Sequence, residues 1–298
     1  MFKNKKVIVL LSLVLLLTFS LAGCSSNSST PVKTADKGTV KMVYVEWACA
    51  TASAHVVADV LENRMGYKVE LTPVAAPLMF EALANGDADA MTTAWLPATH
   101  ESYMKKVEGK VEDLGVNCDG AKLALVVPDY VTINSIEELN ANKDKFGGQI
   151  IGIDPGAGLM KLTEKAIKDY GLDFELVEGS DATMTAALKS AIDKKEWIVV
   201  TGWIPHWKFA RWDLKTLEDP KKVLGEAEHI DTVVRLGLKE DMPEVYEFYK
   251  NFKWSADDLQ SAMLFALEDG VDSKQAAKNW VAENEELVNS WLPEKYKK

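Results

Sequence analysis

Three tryptophans close hydrophobic runs at points where a strand would give way to a loop. They are Trp47 in Val43-Tyr44-Val45-Glu46-Trp47, Trp95 in Thr93-Ala94-Trp95-Leu96-Pro97 and Trp203 in Thr201-Gly202-Trp203-Ile204-Pro205. The last two motifs echo each other, each following a hydrophobic run. In open α/β sheets the carboxyl ends of strands face the ligand crevice, so the three indoles are candidates for one site. Indole faces attract a quaternary ammonium by cation–π interaction, roughly 0.5–2 kcal/mol per ring depending on desolvation. Such a cation has no N–H to satisfy, so a box of rings serves it better than acceptors do. Taken singly, each tryptophan reads as a packing residue; only together do they suggest a box.

A second constellation is Ile153-Asp154-Pro155-Gly156-Ala157-Gly158-Leu159-Met160-Lys161. A strand, a glycine turn and a helix start leave backbone N–H groups free to meet an anion. As a dinucleotide fingerprint it is weak, because Lys161 stands where the third glycine or alanine belongs. A carboxylate suits the same donors, and a plain tight turn is the competing reading. His100 follows Trp95 by five residues and is one of four histidines in the chain. It is either a side-chain donor for the anionic end of a ligand or a simple helix cap. Enzyme signatures are missing: there is no Gly-x-Ser-x-Gly, His-Glu-x-x-His, Walker loop or Cys-x-x-Cys. The reading therefore assigns no catalytic residue, no metal and no cofactor.

The elements that must position these residues alternate. Strands are predicted at 40–46, 68–73, 90–94, 122–127, 149–153, 174–177 and 197–201, with helices at 52–64, 79–84, 158–169 and 183–192. That alternation predicts an α/β fold with parallel sheets covered on both faces. Two such blocks suggest two lobes rather than one large sheet, and the chain beyond about residue 240 reads as mainly helical.

The composition is that of a globular protein, with 47% hydrophobic and 27% charged residues. The net charge of −11 disfavours nucleic acid as a partner. Nine tryptophans, as many as the phenylalanines, are a surplus to be explained. The N-terminus carries Lys3, Lys5 and Lys6, then an uncharged apolar run ending in Leu21-Ala22-Gly23-Cys24. The run reads as a secretory signal and is short for a membrane span. Its end resembles a bacterial lipobox, with residues 1–23 as a lipoprotein signal peptide and Cys24 as the lipidated residue. Residues 24–39 then form a flexible tether. Export permits Cys49 and Cys118 to pair, while two buried thiols remain an equal alternative.

Taken jointly, several segments resemble the substrate-binding lipoproteins of ABC importers for glycine betaine and related compatible solutes. They are Tyr-Val-Glu-Trp (44–47), Asp-Ala-Asp-Ala (87–90), Ala-Trp-Leu-Pro-Ala-Thr-His (94–100), Leu-Val-Val-Pro (125–128), the 152–159 turn and Thr-Gly-Trp-Ile-Pro-His-Trp (201–207). The resemblance implies a bilobal periplasmic-binding-protein fold, two α/β lobes with a ligand cleft between them. It places 40–128 and 232–298 in lobe I and 129–231 in lobe II. It further implies a cage of Trp47, Trp95 and Trp203 around a trimethylammonium group. The carboxylate would be held by the N–H groups of Gly158 and Leu159 and the side chain of His100. The expected partners are glycine betaine or a similar zwitterion, an ABC permease and, through lipid on Cys24, the outer face of the cell membrane. Carnitine, proline betaine and choline are alternative ligands, and an exported α/β enzyme is the more distant rival.

Overall fold

A computed structural model describes residues 37–298; the signal segment 1–23, Cys24 and most of the tether lie outside the described residues. The strands are β1 (Thr39–Tyr44), β2 (Lys68–Pro73), β3 (Ala90–Leu96), β4 (Val111–Pro128), β5 (Gln149–Ile151), β6 (Glu175–Val177), β7 (Val200–Ile204), β8 (Leu214–Thr216) and β9 (Glu228–Arg235). They lie in the order β2-β1-β3-β9-β4-β7-β5-β6, with β8 also paired to β4. Helices α1 (Ala48–Asn63) and α2 (Ala76–Asn85) link β1, β2 and β3, and α3 (Glu101–Lys106) follows β3. Helices α4 (Gly158–Tyr170) and α5 (Asp181–Lys194) link β5, β6 and β7 in the same manner. The two β-α-β-α-β blocks expected from the sequence are therefore present, and each is parallel within itself.

The sheet as a whole is mixed, which corrects the expectation of parallel sheets alone. Strands β3 and β9, β4 and β9, β4 and β7, and β4 and β8 all pair antiparallel. β4 is the organising strand. Its residues Val111 to Ala121 pair with β9, and Lys122 to Val126 pair with β7, so one strand serves both blocks. Only its second part has the unbroken apolar character of a buried strand. The first part, Val-Glu-Asp-Leu-Gly-Val-Asn-Cys-Asp-Gly-Ala, is acidic and broken by glycines. It still pairs because register shifts absorb the misfits, with Gly115 and Gly120 in left-handed conformation at φ 86° and 80°.

β9 also escaped the sequence pattern, since Glu228, Asp231 and Thr232 interrupt its apolar residues, yet all three are buried. Strand β7 begins three residues later than expected, at Val200, so Trp203 lies within the strand. Trp197 precedes it, packed on Phe146 at 5.2 Å with the Lys145 ammonium 4.2 Å over its ring. Both Trp-x-Pro corners carry a cis peptide, at Leu96-Pro97 and Ile204-Pro205.

The remaining chain is helical. A short α6 (Lys208–Arg211) follows β7; after β9 come α7 (Leu238–Asp241), α8 (Pro243–Asn251), α9 (Ala256–Phe265), α10 (Ser273–Glu283) and α11 (Glu285–Trp291). Helices α9 and α10 pack on α1, whose alanine-rich surface lets them come close. Trp254, in the loop before α9, joins Trp280 and Trp291 in an aromatic core. The Trp280 and Trp291 rings are nearly parallel at 6.1 Å, and Trp254 meets each of them edge-on. The Trp280 indole donates to Ser261 Oγ and that of Trp291 to the Lys253 carbonyl, at 2.7 and 2.6 Å. Trp291→Ala should therefore leave a large cavity and orphan that carbonyl, costing about 3–5 kcal/mol in urea denaturation. A loss below about 1 kcal/mol would contradict this packing.

Candidate ligand-binding site

Trp47 is the N-cap residue of α1, Trp95 lies near the end of β3 and Trp203 near the end of β7. The fold brings all three, buried, to one cavity that Cys49, Thr99, Leu123, Ile153, Ala157 and Leu159 also line. The Trp47 and Trp203 rings stand 6.4 Å apart and tilted by 55°, which presents two faces at an angle. Among the described residues, none of those lining the cavity is charged. It offers no carboxylate to a primary ammonium, and its wall is aromatic and aliphatic. A cation without N–H groups is the cation that such a wall accepts at least desolvation penalty. The Trp47 indole N–H is committed to Asp154 Oδ2 at 2.9 Å, whereas those of Trp95 and Trp203 have no hydrogen-bond acceptor.

Gly158 and Leu159 are the first two residues of α4, whose N-cap, Ala157, has no side chain able to cap it. N–H groups at the first positions of a helix have no intrahelical acceptor, so these two are free donors at the positive end of the helix dipole. Leu159 lines the cavity. Gly158 is forced by packing, because a Cβ there would lie 2.1 Å from the Thr99 carbonyl oxygen.

His100 occupies the N-cap position of α3 but makes no capping bond. Its ring turns back so that Nδ1 accepts the Trp95 backbone N–H at 3.0 Å. That bond places the proton on Nε2, which is buried and unpartnered. Burial, reinforced by the Lys161 charge, pushes the imidazole down to about 3, so it is neutral at ordinary pH. The ring lies behind Trp47, nearly parallel at 6.0 Å, and is not itself part of the cavity wall. The cap reading is thus set aside, and a neutral donor remains.

Several bonds tie residues that the sequence reading assigned to different lobes. Tyr103 Oη donates to the Gly156 carbonyl at 2.6 Å, and the Ala48 N–H donates to Asp181 Oδ2 at 2.9 Å. Asp181 also holds His206 Nε2 at 3.1 Å. Burial pushes the Asp181 carboxyl up, but the His206 bond and nearby positive charge outweigh it and hold it below its usual value. His206 is itself pushed down to about 4, by burial and then by Lys208. Together with the Gly158–Thr99 approach, these contacts hold the two stretches of chain against each other beside the cavity.

Cys49 and Cys118 are both free and buried, which decides the open question in favour of two thiols. Burial, then the Asp181 charge, pushes Cys49 up to about 12, so it stays protonated. Asp154 lies within the 153–161 motif, whereas Asp181, Lys208 and Glu228 lie outside every motif picked out in the sequence. Asp181 carried one local signal, since Ser180-Asp181 before a helical run marks a helix start. Lys208, in Trp-Lys-Phe, carried none.

A family model described as the substrate-binding domain of the ABC-type glycine betaine transport system matches residues 38–283. The chain belongs to that family. Like the present chain, the glycine/betaine/L-proline-binding protein (ProX) from Borrelia burgdorferi has this fold. It shares 40% identity, with a TM-score of 0.82 over 87% of this chain and 98% of that one. Lactococcal OpuAC, in a closed-liganded conformation with glycine betaine, is also 40% identical. It has a TM-score of 0.80 over 86% of this chain and 100% of that one. The glycine betaine/carnitine transport binding protein GbuC of Listeria monocytogenes is 51% identical over 145 residues, 48% of each chain. That alignment spans about half the length of the Listeria relative.

Two outcomes are expected of this family member. Gly158→Ala should preserve secondary structure by circular dichroism yet force the start of α4 away from the Thr99 carbonyl. Apparent affinity scales with the binding-competent population, so calorimetry should show a loss of about 100-fold. Unchanged affinity would mean the Thr99 contact is not needed for binding. The second concerns His100. Its folded value is lowered, so below about pH 6.5 the unfolded chain takes up a proton that the folded chain refuses, and stability falls as pH falls toward 3. His100→Gln should flatten that acid slope by about 1.4 kcal/mol per pH unit. Parallel wild-type and variant denaturation curves would contradict a buried neutral imidazole.

Proposed function

We propose that the chain captures glycine betaine by closing two lobes around it and delivers it to the membrane permease of an ABC importer. The carrying observation is that Trp47, Trp95 and Trp203 line one uncharged cavity, with free N–H groups at the start of α4 beside it. Indole faces would hold the trimethylammonium group by cation–π attraction, and Gly158 N–H, Leu159 N–H and His100 Nε2–H would hold the carboxylate. His100 reaches the site from behind Trp47, so its role is the more indirect of the three. A zwitterion uses both ends of this arrangement, whereas choline leaves the carboxylate donors idle.

The lobes proposed are residues 40–128 with 232–298, and residues 129–231. The partner change of β4 between Ala121 and Lys122, and the start of β9 at Glu228, support crossing points slightly ahead of each boundary. Trp47, Trp95, Thr99 and His100 would then belong to one lobe and Asp154, Gly158, Leu159 and Trp203 to the other. Ligand that contacts both halves shifts the population toward closure. The chain is proposed to act outside the cytoplasm, anchored by lipid on Cys24 after removal of residues 1–23. Carnitine is the second reading for the ligand, because the Listeria relative is named for both solutes.

The test is calorimetry and tryptophan fluorescence with glycine betaine, carnitine, choline and proline. Glycine betaine or carnitine should bind and perturb the fluorescence. Trp203→Ala should lose at least about 2 kcal/mol of binding, roughly thirtyfold, while remaining folded. No response to glycine betaine together with a clear response to an amino acid would sink the cage.

A further inference from the structure

Lys208 is fully buried, and its ammonium makes no hydrogen bond. It stands 4.4 Å from the centroid of the Trp203 ring and 5.5 Å from that of Phe209. Trp203 lines the cavity and Lys208 does not, so the ammonium meets the indole from outside the cavity. Its stem packs against Gly202, where a Cβ would come within 3.3 Å of Lys208 Cε. The ionisable groups facing it are Asp181 at the start of α5, Cys49 on α1 and His206 on its own segment. Asp181 is already engaged by the Ala48 N–H and His206 Nε2, and no ion pair within contact distance joins it to Lys208. A buried ammonium without a bonded partner is costly, which makes its position against a cavity-lining ring informative.

We infer that Lys208 sets the charge selectivity of the cavity, its ammonium on the outer side of Trp203 disfavouring ligands of net positive charge and sparing zwitterions. The inference rests on reading the cavity as a quaternary-ammonium cage. A ligand cation on the inner side of Trp203 would share one indole with Lys208 at a separation of little more than the ring and two contact distances. Because Lys208 and Trp203 are both buried, that repulsion is weakly screened. A cationic ligand such as choline feels only the repulsion. A betaine carries a carboxylate that the same ammonium attracts, which offsets much of it. Lys161 acts with the same sign at the other end: its charge reaches His100, and its ammonium lies 4.1 Å over the Tyr103 ring.

The neighbouring groups make the effect separable by pH. Burial lowers Lys208 to about 8, with Asp181 and Cys49 opposing that shift. His206, at about 4, is neutral above pH 6.5, Cys49, at about 12, is protonated below pH 9.5, and Asp181 is anionic throughout. Rising pH therefore removes the Lys208 charge and leaves the others as they were.

The experiment is calorimetry of wild type and Lys208→Met with glycine betaine and choline from pH 7 to 9.5. At pH 7, Lys208→Met should tighten choline by about tenfold and betaine by less than about threefold. In the wild type, choline should gain affinity relative to betaine as pH rises, and in Lys208→Met the ratio should stay flat. An unchanged choline-to-betaine ratio in the variant would overturn the inference. So would parallel weakening of both ligands, which would make Lys208 a counter-charge for Asp181 and no more. If the variant does not fold, the wild-type series decides alone, and a ratio flat from pH 7 to 9.5 overturns the inference. Failure of the wild type to bind betaine would instead remove the cage reading, and this inference with it.

Discussion

The Glu228 carboxylate accepts the amide N–H groups of Ala98 and Thr99, each at 2.8 Å, and the Thr99 hydroxyl as well. Buried at the first residue of β9, it has three donors in place of water, which is what a buried anion requires. These bonds fix the loop that leaves β3. The loop in turn aims the Thr99 carbonyl at Gly158 and lets His100 fold back on the Trp95 N–H. The close approach of α4, the orientation of the imidazole and the wall formed by Thr99 all depend on that clamp. Glu228 opens the strand paired with both β3 and β4, so the clamp is anchored where the two blocks meet.

Polar groups in and behind the cavity wall are left unsatisfied. His100 Nε2 and the Trp95 and Trp203 indole nitrogens are all buried without partners. Unmade bonds of this kind cost about 1–3 kcal/mol each, and native structures keep few of them. In the binding mode proposed above, the carboxylate end of a betaine answers the His100 donor. The indole nitrogens are a consequence of turning ring faces inward: a ring that shows its face to a cation must direct its edge into the protein. Trp47 finds Asp154 there, while Trp95 and Trp203 find no acceptor.

That Trp47, Trp95, Trp203 and Leu159 meet at one cavity was legible because each lies in a short motif at the edge of a hydrophobic run, and the proposed roles of Gly158 and His100 come from the same motifs. Strand ends and helix starts have local patterns, and those patterns point toward the crevice. The Ala-rich α1, the β5-to-β7 block and the buried half of β4 were legible for the same reason. What escaped was stabilised at long range. Glu228 and Asp231 look like surface residues in the chain and are buried by partners more than a hundred residues away, Thr99 and the first half of β4. Asp181 reads as a helix-start acid and serves the start of α1. Lys208 gives no sign that it is enclosed, since a lysine between two aromatic residues is common on surfaces. The tryptophan surplus divides accordingly: Trp254, Trp280 and Trp291 make a core distant in sequence from the cavity, and Trp207 and Trp212 pack together 5.3 Å apart beside His206.

The insertion of β9 between β3 and β4 has a bearing on the order of events as the chain is made. Strand β3 lacks one neighbour until residues 228–235 arrive, and α1 is covered only when α9 and α10 do. The opening segments therefore cannot complete their core until nearly the whole polypeptide is available. Contacts so distant in sequence slow folding. For a chain proposed to cross a membrane before it works, that delay is an advantage, because a nascent chain that cannot close early stays threadable through a translocation pore.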